Sequence, residues 1–406
     1  MKTLVEQRKD QKRNQILSLI RHSNRPLSRF DIKKLTTYSM TTVSNTITEL
    51  LQQGFIFEDI CSENNRMGRK PIFLHLNPDG GYFIGVEFNI QNMHCVILDF
   101  CGELIYETSC ATTTYTSVYQ FIDRLEEQIK GCFSFLGSRQ EKILGVGLGM
   151  PGYIDIEKGI ALHYAYIDDW VDIPIINIME ERLSLPVYII NNVSTMGLAF
   201  KWLNQYRQKD DFVFVSIRTG ARSIFFVNGE PYLGKNCSSG ELGHLKIPYC
   251  NKLCECGQRG CLNTEVSVLS IRDKILEGIR EGKFKRITEL ADGDPANVGV
   301  DLLVEAALEQ DPESISLIRE TAQYLGFALS SVINLISPPH MIISYRLCRA
   351  GELFLEPLRE SIALNAVPEN VKNMQFSPSP YGDNIGAIGA ATLVLEENFN
   401  AVCKEF

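Results

Sequence analysis

The sequence predicts an α/β protein made of a small helical head, residues 1–80, and a large body, residues 81–406. Three observations carry this. The head places two short amphipathic patterns around a polar turn and follows them with two β-rich runs. From Gly81 onward, strand patterns alternate with helical ones. A chain of 406 residues also exceeds what one hydrophobic core usually serves, so more than one domain is expected. The formal charge of −9 is uneven: residues 1–80 hold 13 Lys and Arg against 8 Asp and Glu, which puts +5 on the head and −14 on the rest. A basic head on an acidic body points to the head as the part that meets nucleic acid. No run of about 18 apolar residues occurs and the N-terminus is charged, so neither a membrane span nor a secretory signal is expected, and the location expected is cytoplasmic. Eight of the twelve cysteines are scattered without small-scaffold spacing, which favours reduced thiols.

Taken in order, Gln11–His22 reads as an amphipathic helix with Ile16, Leu17, Leu19 and Ile20 on its stripe. Ser28-Arg-Phe-Asp31 has the form of a capping box and opens a short helix through Leu35. Thr36–Ser39 is a turn, and Met40–Gln53 a second helix with Val43, Ile47, Leu50 and Leu51 inward. Two short helices about a tight turn make a helix-turn-helix. The second helix opens with Thr41, Thr42, Ser44, Asn45 and Thr46, whose short polar side chains suit phosphates and base edges in a major groove. Gly54 stops that helix; Phe55–Ile60 and Pro71–Leu76 read as a strand and its return. Residues 64–70 between them, with Arg66, Arg69 and Lys70, form an expected basic wing able to reach a minor groove. The plainer alternative is a helical adaptor with a solvated basic loop.

In the body, Tyr82–Phe88, His94–Phe100 and Leu104–Ser109 read as three strands, followed by a helix over Tyr115–Leu136 and a strand over Ile143–Gly149. A second set comprises Pro186–Asn191, Phe212–Ile217 and Ser223–Val227; helices dominate Val266–Ile336, and Met341–Ser344 is a further strand. Trp170 is expected to be a packing residue.

The strongest chemical signal lies in residues 240–267. His244, Cys254, Cys256 and Cys261 form an H-x9-C-x-C-x4-C run, and four such ligands match a closed tetrahedral site for structural Zn2+. Gly257 and Gly260 would let the backbone turn tightly between the thiolates. Cys250 is a spare thiol upstream. Glu241, three residues before His244, is either an acceptor for vicinal sugar hydroxyls or a carboxylate that orients the ligating imidazole, and the two roles can coexist.

Gly240-Glu-Leu-Gly-His244 followed by C-x-C-G-x-x-G-C resembles the signature of the ROK family of sugar-responsive repressors and sugar kinases. Gly147–Gly152 and Ile189–Asn192 fit the same pattern, as does Gly68-Arg69-Lys70-Pro71 for the repressors' winged helix. The resemblance implies a winged helix-turn-helix followed by a two-lobed, actin-like (RNase H-like) sugar-kinase body that senses the effector and dimerises. It places Asn191, Asn192, Glu241 and His244 at sugar-binding positions.

Against the kinases of that family the chain departs at four places. Their D-x-G-G-T loop corresponds to Glu87–Gln91, their G-x-G-x-G run to Arg218–Ser223, a glycine pair to Ser344-Tyr345, and the general-base Asp of an N-D pair to Asn192. An amide takes no proton from a hydroxyl at neutral pH, so no catalytic residue is expected. The family's Glu after G-C-L is Asn263 here, with Glu265 two positions out of register. The expectation is therefore a non-enzymatic regulator, a repressor of carbohydrate-utilisation genes, that binds a double-stranded DNA operator and a small-molecule sugar effector as a homodimer or higher homo-oligomer. The rivals are a sugar kinase with an appended DNA-binding head and a regulator controlled by a protein partner.

Overall fold

Helix starts in the head are set by side-chain caps. The structure, a computed structural model, describes residues 4–23, 25–60, 72–112, 117–164, 167, 169–203, 211–248 and 250–399. Helix α1 (Leu4–His22) begins earlier than its apolar stripe and buries Ile16, Leu17 and Ile20. Ser28 caps α2 (Arg29–Leu35) in a complete capping box, its own N–H donating to the Asp31 carboxylate at 2.9 Å. Ser39 caps α3 (Met40–Gln52), accepting from the Thr42 backbone at 3.1 Å. After Gly54, β1 (Ile56–Ile60) pairs antiparallel with β2 (Ile72–Leu76). Helix α3 packs on α1, α2 and β1, and its Val43, Ile47 and Leu50 are buried. The expected wing, with Arg66, Arg69 and Lys70, lies outside the described residues.

The chain forms two compact units, residues 1–203 with 383–406, and residues 204–382. The head belongs to the first unit. There the chain continues as β3 (Tyr82–Phe88), β4 (Asn92–Asp99) and β5 (Leu104–Ala111), α4 (Val118–Leu136), and β6 (Ile143–Met150). A small sheet of β7 (Tyr153–Asp155), β8 (Ile160–His163) and β9 (Val171–Ile173) follows, then α5 (Ile175–Leu183), β10 (Val187–Asn191) and α6 (Asn192–Leu203). The main sheet runs β10-β6-β3-β4-β5, with β3, β6 and β10 parallel. The small sheet was not anticipated: strands of three or four residues are too short for alternation to register. Trp170 is buried, with its ring near those of Phe88, Phe121 and Tyr164.

A C-terminal helix, Ile385–Phe399, returns to the first unit and packs on β3, β4, β6 and α6. Its residues are buried on nearly every side, as expected of a helix apolar all round. The backbones come close enough that a Cβ on Gly147 would run into the Ala390 carbonyl oxygen.

The second unit repeats the strand plan without a sequence repeat. β11 (Phe212–Ile217), β12 (Ala221–Val227) and β13 (Glu230–Tyr232) form an antiparallel meander. β14 (His340–Tyr345) and β15 (Gln375–Pro378) extend it in parallel beside β11. Val268–Arg280, Val300–Leu308, Pro312–Ile336 and Glu352–Asn365 are its long helices, and one apolar core joins them to the sheet. Among the described residues no helix is long and apolar enough to cross a membrane.

Two glycine substitutions separate close approach from helix propensity. Gly147→Ala is expected to destabilise by about 1–3 kcal/mol through overpacking. Gly131→Ala, within α4 and with open space where its Cβ would sit, is expected to stabilise by about 0.5–1 kcal/mol. Urea denaturation of both variants checks the opposite signs.

Candidate functional site

The metal-type loop is built from local backbone bonds. The Ser223 N–H donates to the Gly240 carbonyl at 2.8 Å and so ties the loop's start to β12. At the knuckle, the Cys254 N–H donates to the Gln258 carbonyl at 2.8 Å, and the Gly257 N–H to the Cys254 carbonyl at 2.9 Å. Gly257 and Gly260 take φ of +81° and +76°, where a side chain is strained, and a Cβ on Gly260 would press on the Cys250 carbonyl. The knuckle brings His244, Cys254, Cys256 and Cys261 together, with their ligand atoms all within 4.8 Å of one another.

The Cys256 and Cys261 sulfurs are 3.8 Å apart. That is the edge of a tetrahedron with metal–sulfur bonds of about 2.3 Å. His244 turns Nδ1 toward the Cys254 sulfur, at 3.9 Å, and Nε2 toward Glu241 Oε2, also at 3.9 Å. Three thiolates on a divalent ion leave one net negative charge, which the Lys246 ammonium, 3.4 Å from the Cys261 sulfur, is placed to offset. The donor set therefore fits a zinc-type ion with no open position. Cys250 stands outside it and donates to Glu265 Oε1 at 2.9 Å.

Around this loop, several polar side chains bond to the protein itself. Arg222 sets Nη2 3.3 Å from Glu241 Oε1 and donates to the carbonyls of Cys237 and Ser239. Glu241 thus lies between a guanidinium and the His244 imidazole, in a half-buried setting. Asn263 accepts from the Ala221 N–H at 2.8 Å, joining β12 to the end of the loop. Tyr345 is buried and donates to the Val266 carbonyl at 2.6 Å, and burial pushes its phenol well above the ordinary value. Glu265, 3% exposed, is 2.7 Å from Lys274 and 3.6 Å from Lys252. Burial pulls its carboxyl up, but the Cys250 thiol and the Lys274 ammonium outweigh that and hold it below the usual range.

In the first unit, Asn191 is 1% exposed and both ends of its amide are used: Nδ2 donates to the Gly152 carbonyl at 3.2 Å, and Oδ1 accepts from the Val193 N–H at 2.9 Å. It acts first as the cap of α6. Asn192, half-buried, is the first residue of α6, and its Nδ2 donates to Glu87 Oε1 at 3.2 Å. Glu87 is fully buried against Gly386 at the start of the C-terminal helix. Its carboxylate holds the Nδ2 end of the Asn192 amide.

On the head, Thr41 and Asn45 are exposed, while Thr42, Ser44 and Thr46 are half-buried. The Thr42 hydroxyl is 2.9 Å from that of Ser39 and so shares in the cap. Phe30, Leu35 and Met40, beside the turn, are exposed apolar residues that the sequence reading did not single out.

A model of the ROK family matches residues 83–397. The chain belongs to the ROK family. The xylose repressor of Caldicellulosiruptor bescii is 27% identical over 92% of this chain and 93% of its own length. The glucokinase of Thermotoga maritima is 29% identical, over 77% of this chain and 97% of its own. Among solved structures, a ROK family transcriptional regulator described as a homolog of the E. coli MLC protein shares the fold, with a TM-score of 0.83 at 22% identity over 97% of this chain and 98% of its own. The ROK segment begins after the helical head, and the glucokinase match covers only about the share of the chain that the segment does.

The Glu265–Lys274 pair that anchors this ROK protein's loop gives a stability prediction. Lys274→Met leaves a buried carboxylate without its nearest cation and is expected to destabilise by about 3–5 kcal/mol. Lys252→Met removes a mostly exposed partner and is expected to change stability by about 0–1 kcal/mol. Because the Glu265 carboxyl is lowered in the folded state, its contribution is present above the unfolded value of about 4.3 and is lost as pH falls through the lower folded value. Urea denaturation of the three proteins at neutral pH, and of the unmodified protein from pH 6 to 3, checks both the ranking and the sign.

Proposed function

We propose that this protein is a sugar-responsive transcriptional repressor. Its head binds double-stranded operator DNA through α3 and the segment carrying Arg66, Arg69 and Lys70. A sugar bound by the ROK body weakens that binding. The observation that carries the reading is the pair of helices about a turn in front of the ROK segment, together with a repressor match over 92% of the chain where the glucokinase match covers 77%, about the share of the ROK segment.

Residues 1–80 are then the DNA-binding domain and 81–406 the sensing body. Thr41 and Asn45 stand at the exposed start of α3, where base edges are read, with Thr42, Ser44 and Thr46 beside them. Asn192, Glu241 and His244 supply sugar contacts, with Asn191 holding the start of α6. One structural Zn2+ on His244, Cys254, Cys256 and Cys261 fixes the loop that carries Glu241. The protein is cytoplasmic and works as a homodimer, so that two heads meet two half-sites.

Kinase chemistry is not part of the proposal. Asn192 offers no base, and the positions that cradle phosphate in the kinases carry Glu87, Arg218, Arg222 and Tyr345. Base catalysis helps only a substrate that is already positioned, so restoring a carboxylate at Asn192 alone would not restore turnover.

The similarity to the Caldicellulosiruptor xylose repressor makes D-xylose the first effector to test. D-xylose is expected to raise the melting temperature of the purified protein and to weaken its binding to a duplex, selected from a random library by the protein itself, by about tenfold or more. Fluorescence anisotropy measures the second effect. A sugar panel that leaves both quantities unmoved overturns the effector reading, and ATP-dependent sugar phosphate from the unmodified protein overturns the non-enzymatic one.

For the metal, one zinc per chain is expected by mass spectrometry of the purified protein. Cys261→Ser is expected to lose it and to lower the melting temperature without unfolding the first unit, because the bonds the ion makes are local to one loop. A metal-free protein with the same melting curve as the variant would refute this.

A further inference from the structure

The strongest feature not absorbed by this reading is a buried arginine where the head's first helix meets the rest of its unit. Arg21, near the end of α1, places Cζ 3.4 Å from the ring centroid of Trp202 and 4.9 Å from that of Phe399. Both terminal nitrogens are out of solvent and make no hydrogen bond among the described residues. Burial lowers the guanidinium to about 9, partly offset by the charges of Glu396 and Asp99. Gly102, at φ +86°, completes the seat: a Cβ there would run into Trp202 and Arg21 Nη2. By desolvation alone an apolar residue would be more favourable at such a position.

Its charge has a counterpart at the far end of the same helices. Trp202 closes α6 and Phe399 closes the C-terminal helix. The two helices begin side by side at Glu87, which takes the Asn192 amide and packs on Gly386, and a Cβ on Gly389 would meet the Thr195 carbonyl further along. They therefore run parallel, with a carboxylate against their N-terminal ends and a guanidinium against their C-terminal ends, each the favourable sign for the helix dipole. With 12 residues, α6 spans about 18 Å between the two charges. Beyond Arg21, α1 packs on α3 and β2.

We propose that Arg21 is a positioning residue that couples occupancy of the sugar site at Asn192 to the setting of the DNA-reading helix, with α6 and the C-terminal helix as the rigid link. The proposal rests on the effector reading above. A sugar that bonds to Asn192 acts on the first turn of α6, and the far end of that helix carries the ring on which α1 is seated. The cation–aromatic contact supplies a joint that slides, where a fixed hydrogen bond would lock.

The test uses the full chain in unmodified, Arg21→Met and Arg21→Lys forms, with D-xylose and the selected duplex as probes. Methionine fills the slot without charge, so folding and the xylose-dependent melting shift are expected to persist. Duplex affinity without sugar is expected to stay within about threefold, while the sugar-dependent weakening falls from about tenfold to less than about twofold. Arg21→Lys, which keeps a cation over the ring, is expected to retain at least half of the effect on the logarithmic scale. Emission of Trp202, assigned by its absence in Trp202→Phe, is expected to change when xylose binds the unmodified protein and to change less in Arg21→Met. Full coupling in Arg21→Met, or xylose binding without any change in Trp202 emission, overturns the proposal while leaving the effector reading standing. Loss of fold in Arg21→Met without rescue by Arg21→Lys also overturns it, as a merely structural role. No melting shift with xylose in the unmodified protein fails the effector reading itself for this sugar, and the coupling claim with it.

Discussion

The first unit depends on the parallel packing of α6 against the C-terminal helix. That contact is possible because small residues let the backbones approach: Gly389 meets the Thr195 carbonyl on one side, and Gly147 of β6 meets the Ala390 carbonyl on the other. Larger side chains at either place would force the helix away from the sheet and open the core beneath it. The same packing aligns two helix dipoles, which gives a physical reason for ionisable groups to sit at both ends of an otherwise apolar layer. Glu87 stands at one end, and Arg21, with Glu396 of the C-terminal helix near it, at the other.

The second unit is built on one apolar core, and the loop over residues 240–261 sends Leu242 and Ile247 into it. Residues 240–261 have little regular structure, and their conformation is set by short backbone bonds and three left-handed glycines, Gly240, Gly257 and Gly260, which bring four candidate ligand atoms together. What the loop presents is Glu241, held between Arg222 and His244. The fold is shared with ROK sugar kinases, and three of the side chains that the sequence resemblance sets against kinase positions bond within the protein: Tyr345 to Val266, Arg222 to Glu241, Glu87 to Asn192. Each of these contacts stabilises a fixed geometry within the protein.

Much of this was legible in the sequence wherever a local pattern determines structure. The S-x-x-D capping box of α2 was readable because it depends on neighbours three apart, and the strands Tyr82–Phe88 and Phe212–Ile217 because continuous apolar runs bounded by polar residues read directly. The His244–Cys261 ligand run was visible for the same reason. Long-range pairings left no trace. Asn192 and Glu87 are 105 residues apart, and nothing in their spacing says that one holds the other's amide. Lys274 was likewise missed as the partner of Glu265, and Asn191 showed its residue type but not that its amide is consumed in capping α6.

The order of the chain has a consequence for synthesis. The first unit is discontinuous: its head, sheet and α6 are complete by residue 203, but the helix that covers the sheet follows the whole of the second unit. On the ribosome, the β3–β6 face and the Trp202 ring are therefore made long before Ile385–Phe399 can cover them, and domains in general fold as units once their segments are available. A chain released early would carry a complete helix-turn-helix sequence on an unfinished body, with an apolar sheet face open to chaperones and proteases.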